Sequence, residues 1–205
     1  TAMTNREVKE EAPVKEEAVD LNPRTAFRYE DLKIMRTIGT GTFGRVKMVQ
    51  HKGTGQVCAL KCMNKTEVVA SHQERNIMAE KNLLFECSAS PFILKLLQTY
   101  NHKNQILMLM EFIQGGELFS VLHTATGDGV PDASAKFYGA AVLLAIGYLH
   151  NKDIAYRDMK PENCLIDKTG YPKLVDFGFA KVRIFVVWLC FLGSLLTFEP
   201  CMPDK

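Results

Sequence analysis

The chain has 205 residues, 47% of them hydrophobic and 23% charged, with a formal net charge of +2. That is enough for one domain with a real core or for two small lobes, and the charge is too small to argue for a nucleic-acid or membrane partner. The six cysteines (Cys58, Cys62, Cys87, Cys164, Cys190, Cys201) show neither zinc spacing nor a disulfide framework, which fits a reducing compartment and predicts a cytoplasmic location.

The sequence begins at Thr1 with no apolar stretch of the signal-peptide kind. Residues 1–26 are rich in Glu and Lys and poor in large apolar side chains, so they are expected to form a disordered charged linker. From Phe27 the character changes. Residues 32–38 read as a strand, followed by Gly39-Thr40-Gly41-Thr42-Phe43-Gly44. A helix should follow such glycines in a dinucleotide-binding fold. Here residues 45–49 alternate apolar and polar and run into Gly53-Thr54-Gly55, so the stretch reads as a glycine-rich hairpin folded over phosphates. Glycine suits that task because backbone N–H groups can approach phosphate oxygens with no Cβ in the way.

Residues 57–63 form a third predicted strand, with Ala59 and Lys61 on one face. A lysine in so apolar a strand is costly unless its charge is used. Cys58 and Cys62 flank it and could suggest a metal pair, but small buried hydrophobes are the better reading. A helix is predicted over roughly 72–86. Glu80 lies on its apolar face with Ile77, Leu83 and Leu84 and wants a cation; Glu74 is the alternative, without that apolar setting. Residues 93–100 and 105–112 read as two further strands around a turn at 101–104, and Gln114-Gly115-Gly116 breaks the second. His102 and His123 have no partner spacing for metal. Residues 132–150 form the longest predicted helix, apolar nearly all round and therefore expected to be buried on all sides, since it is too short to span a bilayer.

The densest chemistry follows. Tyr156-Arg157-Asp158-Met159-Lys160-Pro161-Glu162-Asn163 places a carboxylate, a lysine and an amide within six positions, and Asp176-Phe177-Gly178 adds a second carboxylate one short hairpin later. One aspartate can accept a proton from an alcohol; the asparagine and the other aspartate can hold magnesium against a nucleotide. Arg-Asp-x-Lys-x-x-Asn with Asp-Phe-Gly resembles the catalytic core of protein kinases, and the glycine loop, Ala59/Lys61, Glu80 and Gly115-Gly116 agree in order and spacing.

The resemblance covers about residues 29–181 and implies an α+β protein-kinase fold: a five-stranded N-lobe with one main helix, at 27–113, and an incomplete helical C-lobe, at 114–181. It implies ATP and Mg2+. Ile38, Gly39, Thr40, Gly41, Thr42, Phe43, Gly44 and Val46 would cover the nucleotide, and Lys61, oriented by Glu80, would meet the α- and β-phosphates. Ala59 and Leu165 would line the adenine slot, Met110 would guard the pocket behind it, backbone groups near Glu111 and Ile113 would bind the adenine edge, and Glu117 would meet the ribose. Asp158 would accept or orient the proton of a Ser or Thr hydroxyl, Lys160 would neutralise the transferred phosphoryl group, and Asn163 and Asp176 would hold the metal. Arg157 would clamp an activation-loop phosphate.

Tyr156, the 112–119 run, Gly170-Tyr171 and the run ending at Lys181 are similar to AGC kinases dependent on cAMP or cGMP, with the wording at 170–175 nearer the cGMP type. Glu117 and Glu162 then suggest protein substrates with Ser or Thr in a basic context. Such motifs also fit a catalytically silent nucleotide-binding fragment or decoy. Residues 182–205 carry none of the family's signatures. A helix over 184–198 would rise only about 22 Å against a hydrocarbon core of about 30 Å, so a membrane anchor is the weakest reading; a surrogate core element on the 132–150 helix is another, and sequence foreign to the family, after a truncation, is the expected one. Weak or absent turnover is expected with it.

Overall fold

The computed structural model describes residues 27–41, 43–123 and 130–182. The five expected strands form, the fourth shifted along the chain: β1 (Leu32–Gly41), β2 (Gly44–His51), β3 (Val57–Asn64), β4 (Leu96–His102) and β5 (Gln105–Glu111). They lie antiparallel in the order β1-β2-β3-β5-β4. The middle strands β3 and β5 are the most apolar, and Leu60, Leu107 and Leu109 pack into one fully buried cluster with Val49 and Cys58.

Two helices lie between β3 and β4: α1 (Lys65–Ala70) and α2 (Glu74–Glu86). The single helix expected from residue 72 therefore begins two residues later, and α1 is an element that sequence reading missed. Its signal is local, because the Asn64 side chain caps it by accepting from Thr66 N–H at 3.0 Å. The fourth strand also shifts. Ile93 leaves it and bridges Leu174, while Asn101 and His102 join it, so the turn shrinks to Lys103 and Asn104.

The rest of the described chain contains α3 (Leu118–Leu122), α4 (Asp132–His150) and four short strands, β6 (Ile154–Ala155), β7 (Cys164–Ile166), β8 (Pro172–Leu174) and β9 (Lys181–Val182). β7 and β8 form a hairpin, and β6 pairs with β9, so Val182 is still held within the fold. The α+β architecture with a five-stranded lobe is as expected. The linker 1–26 and the tail from residue 183, including 184–198, lie outside the described residues.

Helix α4 departs from expectation. It buries Ala141, Ala145 and Leu149, with β6 and β8 packed alongside, but Leu143 is 72% and Leu144 60% exposed. Apolar composition all round promised burial all round; among the described residues, neighbours cover only one side. Four cysteines are buried and unbridged, and desolvation pushes the Cys58, Cys87 and Cys164 thiols up to about 11. Cys58 and Cys62 are thus core residues of β3. No described helix is long and apolar enough to cross a membrane.

Burial predicts where truncation hurts. Leu109→Ala, at a fully buried site in the central strand, is expected to cost about 2–5 kcal/mol in urea denaturation. Leu143→Ala, on the exposed face of α4, should stay within about 0.5 kcal/mol. Equal losses would contradict this division of the core.

Candidate active site

The site is a cleft of about 680 Å3 between the sheet and the β7–β8 hairpin. Its roof is the β1–β2 turn, with Ile38, Gly39, Thr40, Gly41, Phe43, Gly44 and Val46 on the lining. Thr42 lies outside the described residues. Gly44 has a packing reason that sequence reading missed: a Cβ there would fall 1.9 Å from the Cys62 carbonyl oxygen. A Cβ on Gly41 would meet nothing within 4 Å, so that side of the turn is open to a ligand.

The back wall comes from β3 and β5. Ala59 and Lys61 share one face of β3, opposite Met110 and Met108 of β5. Lys61 Nζ donates to Glu80 Oε1 at 2.7 Å, and Glu80 is buried on α2. The carboxylate that the apolar helix face demanded is therefore matched to the cation that the apolar strand demanded, and Glu74 is not the partner. Lys61, Glu80 and Met110 all line the cleft, as do Glu111, Ile113, Leu165 and Asp176. Glu117 is exposed beside it, its backbone bridged to Leu165.

Below the cleft, the loop between β6 and β7 folds on itself. Lys160 Nζ donates to Asp158 Oδ2 at 3.1 Å, and Asn163 Nδ2 donates to the same oxygen at 2.8 Å and to the Asp158 carbonyl at 2.9 Å. The amide nitrogen of Asn163 is thus committed to Asp158, which leaves Oδ1 as the acceptor that could face a cation. The hydrogen bonds from Lys160 and then Asn163 hold the Asp158 carboxyl below its usual range, and Asp158 in turn raises Lys160. Arg157 (φ 66°) and Asp176 (φ 43°) both adopt left-handed backbone, a conformation that costs a non-glycine residue about 1–3 kcal/mol and collects at functional sites. Gly178 N–H returns to Asp176 Oδ1 at 3.2 Å. Arg157 Nε donates to the Phe179 carbonyl at 2.7 Å; here it meets a backbone oxygen of the segment it was expected to hold through a phosphate.

Underneath, Phe177 is fully buried and meets the Tyr156 ring edge-on at 5.3 Å. The Tyr156 hydroxyl donates to the Val175 carbonyl at 2.8 Å. Burial pushes that phenol up, so it stays a donor at any physiological pH. This brace between the two motifs was not read from the sequence. Nor was Lys173, whose Nζ meets Glu111 Oε1 at 2.7 Å. Its signal was available, because the rule applied to Lys61 applies equally to a lysine between Pro172 and Leu174.

The donor set suits a nucleotide with magnesium. Among the described residues no three His, Cys, Asp or Glu side chains gather into a metal cage. Magnesium does not need one, since it is held by one or two oxygen ligands together with substrate phosphates, and Asp176 and Asn163 Oδ1 offer that.

Residues 32–184 match the family model described as the protein kinase domain. The chain belongs to the protein kinase domain family. It is 43% identical over 179 residues to the cAMP-dependent protein kinase catalytic subunit PRKX of Mus musculus, covering 84% of this chain and 50% of the relative. It is 44% identical to cAMP-dependent protein kinase type 3 of Saccharomyces cerevisiae, covering 76% and 38%. It is also 44% identical to the cGMP-dependent protein kinase of Eimeria tenella, covering 77% and 15%. The expected group of kinases therefore holds, while near-equal identities give no preference for the cGMP kind. The chain spans about half the length or less of these relatives.

The Asp158 network predicts a pH response. Its folded-state carboxyl lies below the unfolded value, so the contribution is present above the unfolded value and is lost as pH falls through the folded one. Carbon-detected NMR titration should place the Asp158 midpoint below that of free aspartate, and Lys160→Met should move it up. A midpoint indifferent to Lys160 would break the assignment.

Proposed function

We propose that this chain binds ATP with Mg2+ in the cleft and acts as a serine/threonine protein kinase, transferring the γ-phosphoryl group to a hydroxyl of a protein substrate. The observation that carries the reading is the 2.7 Å Lys61–Glu80 pair on the wall of a cleft that Asp176 also lines. A lysine aimed by a buried carboxylate is a fixed positive point for phosphate oxygens. The turn above it offers backbone N–H groups, and the apolar surfaces of Ala59, Met110 and Leu165 suit a flat base. Ile113 takes part in none of the loop hydrogen bonds among the described residues, so its backbone groups suit the edge of that base.

In the transfer, the hydroxyl oxygen bonds to the γ-phosphorus, the bond from that phosphorus to the β–γ bridging oxygen breaks, and ADP carries away the electron pair. Asp158, kept anionic by Lys160 and Asn163, receives the hydroxyl proton. Lys160 stands beside it to offset charge on the moving phosphoryl group. Asn163 and Asp176 would hold magnesium, which supplies charge neutralisation at the phosphates when bound.

For the substrate, Glu117 and Glu162 are exposed carboxylates on neighbouring elements, since α3 packs against the 161–163 turn. They support a preference for Ser or Thr among basic residues. We propose a cytoplasmic setting, a reading supported by a cysteine pattern without a disulfide framework.

The purified chain is expected to melt at higher temperature with Mg-ATP and to label a basic serine peptide from γ-labelled ATP only weakly, in keeping with the turnover expected above. Asp158→Ala should lower the transfer rate by about 10²–10⁴-fold and leave ATP stabilisation in place. Stabilisation by ATP without any transfer would select a silent nucleotide-binding protein instead, and no response to ATP would remove both readings.

A further inference from the structure

Lys173 is a second cation inside an apolar strand, and phosphoryl transfer assigns it no task. It is 8% exposed in β8, and its Nζ donates to both carboxylate oxygens of Glu111, at 2.7 and 2.9 Å. Glu111 is the last residue of β5 and lines the cleft. Its Oε1 also accepts from Lys95 N–H at 2.9 Å, and its own N–H donates to the Lys95 carbonyl at 3.0 Å. A few residues on, Gly115 N–H donates to the Ile166 carbonyl at 2.8 Å, and Ile166 N–H donates back to Gly116 at 2.9 Å. A Cβ on Gly115 would sit 2.6 Å from that Ile166 oxygen, so the approach is as close as backbone allows.

The segment joining the sheet to α3 is therefore fastened twice to one hairpin. Backbone bonds hold its far end to β7, and Lys173 of β8 holds its near end through Glu111. Between the fastenings lie Phe112 and Ile113, both on the cleft lining. The register puts Glu111 three residues along β5 from Met108, the partner of Lys61, or about 10 Å away at the usual rise per residue. The fastening thus acts at the base end of the cleft, away from the phosphate end.

A part-buried ion pair such as this one is a modest source of net stability, because desolvation offsets much of the attraction. What it supplies is a fixed separation between two elements. Resting on the nucleotide reading above, we propose that Lys173 is a positioning residue for the adenine of the bound nucleotide, acting through Glu111 to set where the 111–113 backbone stands over the cleft.

The test measures calorimetric Kd values for Mg-ADP and for adenosine, with melting temperature in the absence of ligand, on the full chain. The variants are Lys173→Met, Glu111→Gln and the two combined. Lys173→Met should lower both the melting temperature and the affinities, because it strands the Glu111 charge. The double variant removes that charge and should regain the melting temperature, yet remain roughly tenfold weaker for both ligands. Adenosine has no phosphates, so an equal loss for both ligands places the effect at the base. If the double variant recovers affinity along with melting temperature, the pair is structural only and the proposal is overturned. A loss for Mg-ADP that adenosine does not share overturns it as well. Should Lys173→Met fail to fold, the double variant decides alone. A wild-type chain that binds neither ligand would remove the nucleotide reading itself, whereas wild-type binding with unaffected variants removes only the role of Lys173.

Discussion

A cation inside an apolar strand has to be met by a carboxylate, and much of this structure follows from meeting two of them. Lys61 in β3 requires Glu80, so α2 must lie across the sheet with its apolar face inward and that one carboxylate pointing the same way. Lys173 in β8 requires Glu111, so the hairpin must sit against the end of β5. The two pairs attach different elements to the same central pair of strands. Both pairs are part-buried, and removing one partner leaves a poorly hydrated charge without its counter-ion, the costlier outcome. The cleft lies between elements held in this way, and its shape follows from the pairs as much as from the glycines above it.

The catalytic-loop residues are organised on a different principle. Asp158, Lys160 and Asn163 satisfy one another, so their geometry is set before any ligand arrives. Preorganised dipoles and charges need no rearrangement at the moment of reaction. The left-handed backbone at Arg157 and Asp176 is the cost of aiming these side chains. It is offset close by: Phe177 is fully buried against Tyr156, whose hydroxyl holds Val175, the residue before Asp176. Strain and its compensation occupy adjacent positions in both motifs.

Much of this was legible in the sequence because its physics is local. Apolar runs bounded by turn residues located the five strands of the sheet, the fourth a few residues out of place, the apolar face of α2 selected Glu80 over Glu74, and the cost of a lysine in an apolar strand flagged Lys61. What was missed depends on distance. The start of α2 gave way to α1 because the Asn64 cap opens a separate helix. Ile93 left its strand for a bridge to Leu174, some eighty positions on, which no local pattern encodes. The packing need at Gly44 depends on the Cys62 carbonyl across the sheet, so the glycine was legible and its reason was not. Lys173 was missed although the same rule covers it, because the family pattern drew attention to one lysine and not to the other.

Helix α4 shows how site and stability can be separated. Of its buried inner stripe, Ala145 and Leu149 belong to the cluster that also holds Phe177, Cys164 and Leu174. Its outer stripe, with Leu143 and Leu144, is open among the described residues. Each large apolar side chain left in water forgoes about 1.5–3 kcal/mol, against a net domain stability of about 5–15 kcal/mol. Covering the outer stripe would therefore raise the stability of the whole by a large fraction. The inner stripe is the side that packs on β6 and β8, the short strands that precede the Asp158 loop and Asp176 respectively. Cover for the outer face would thus add stability from the side of the helix opposite the one that packs on β6 and β8.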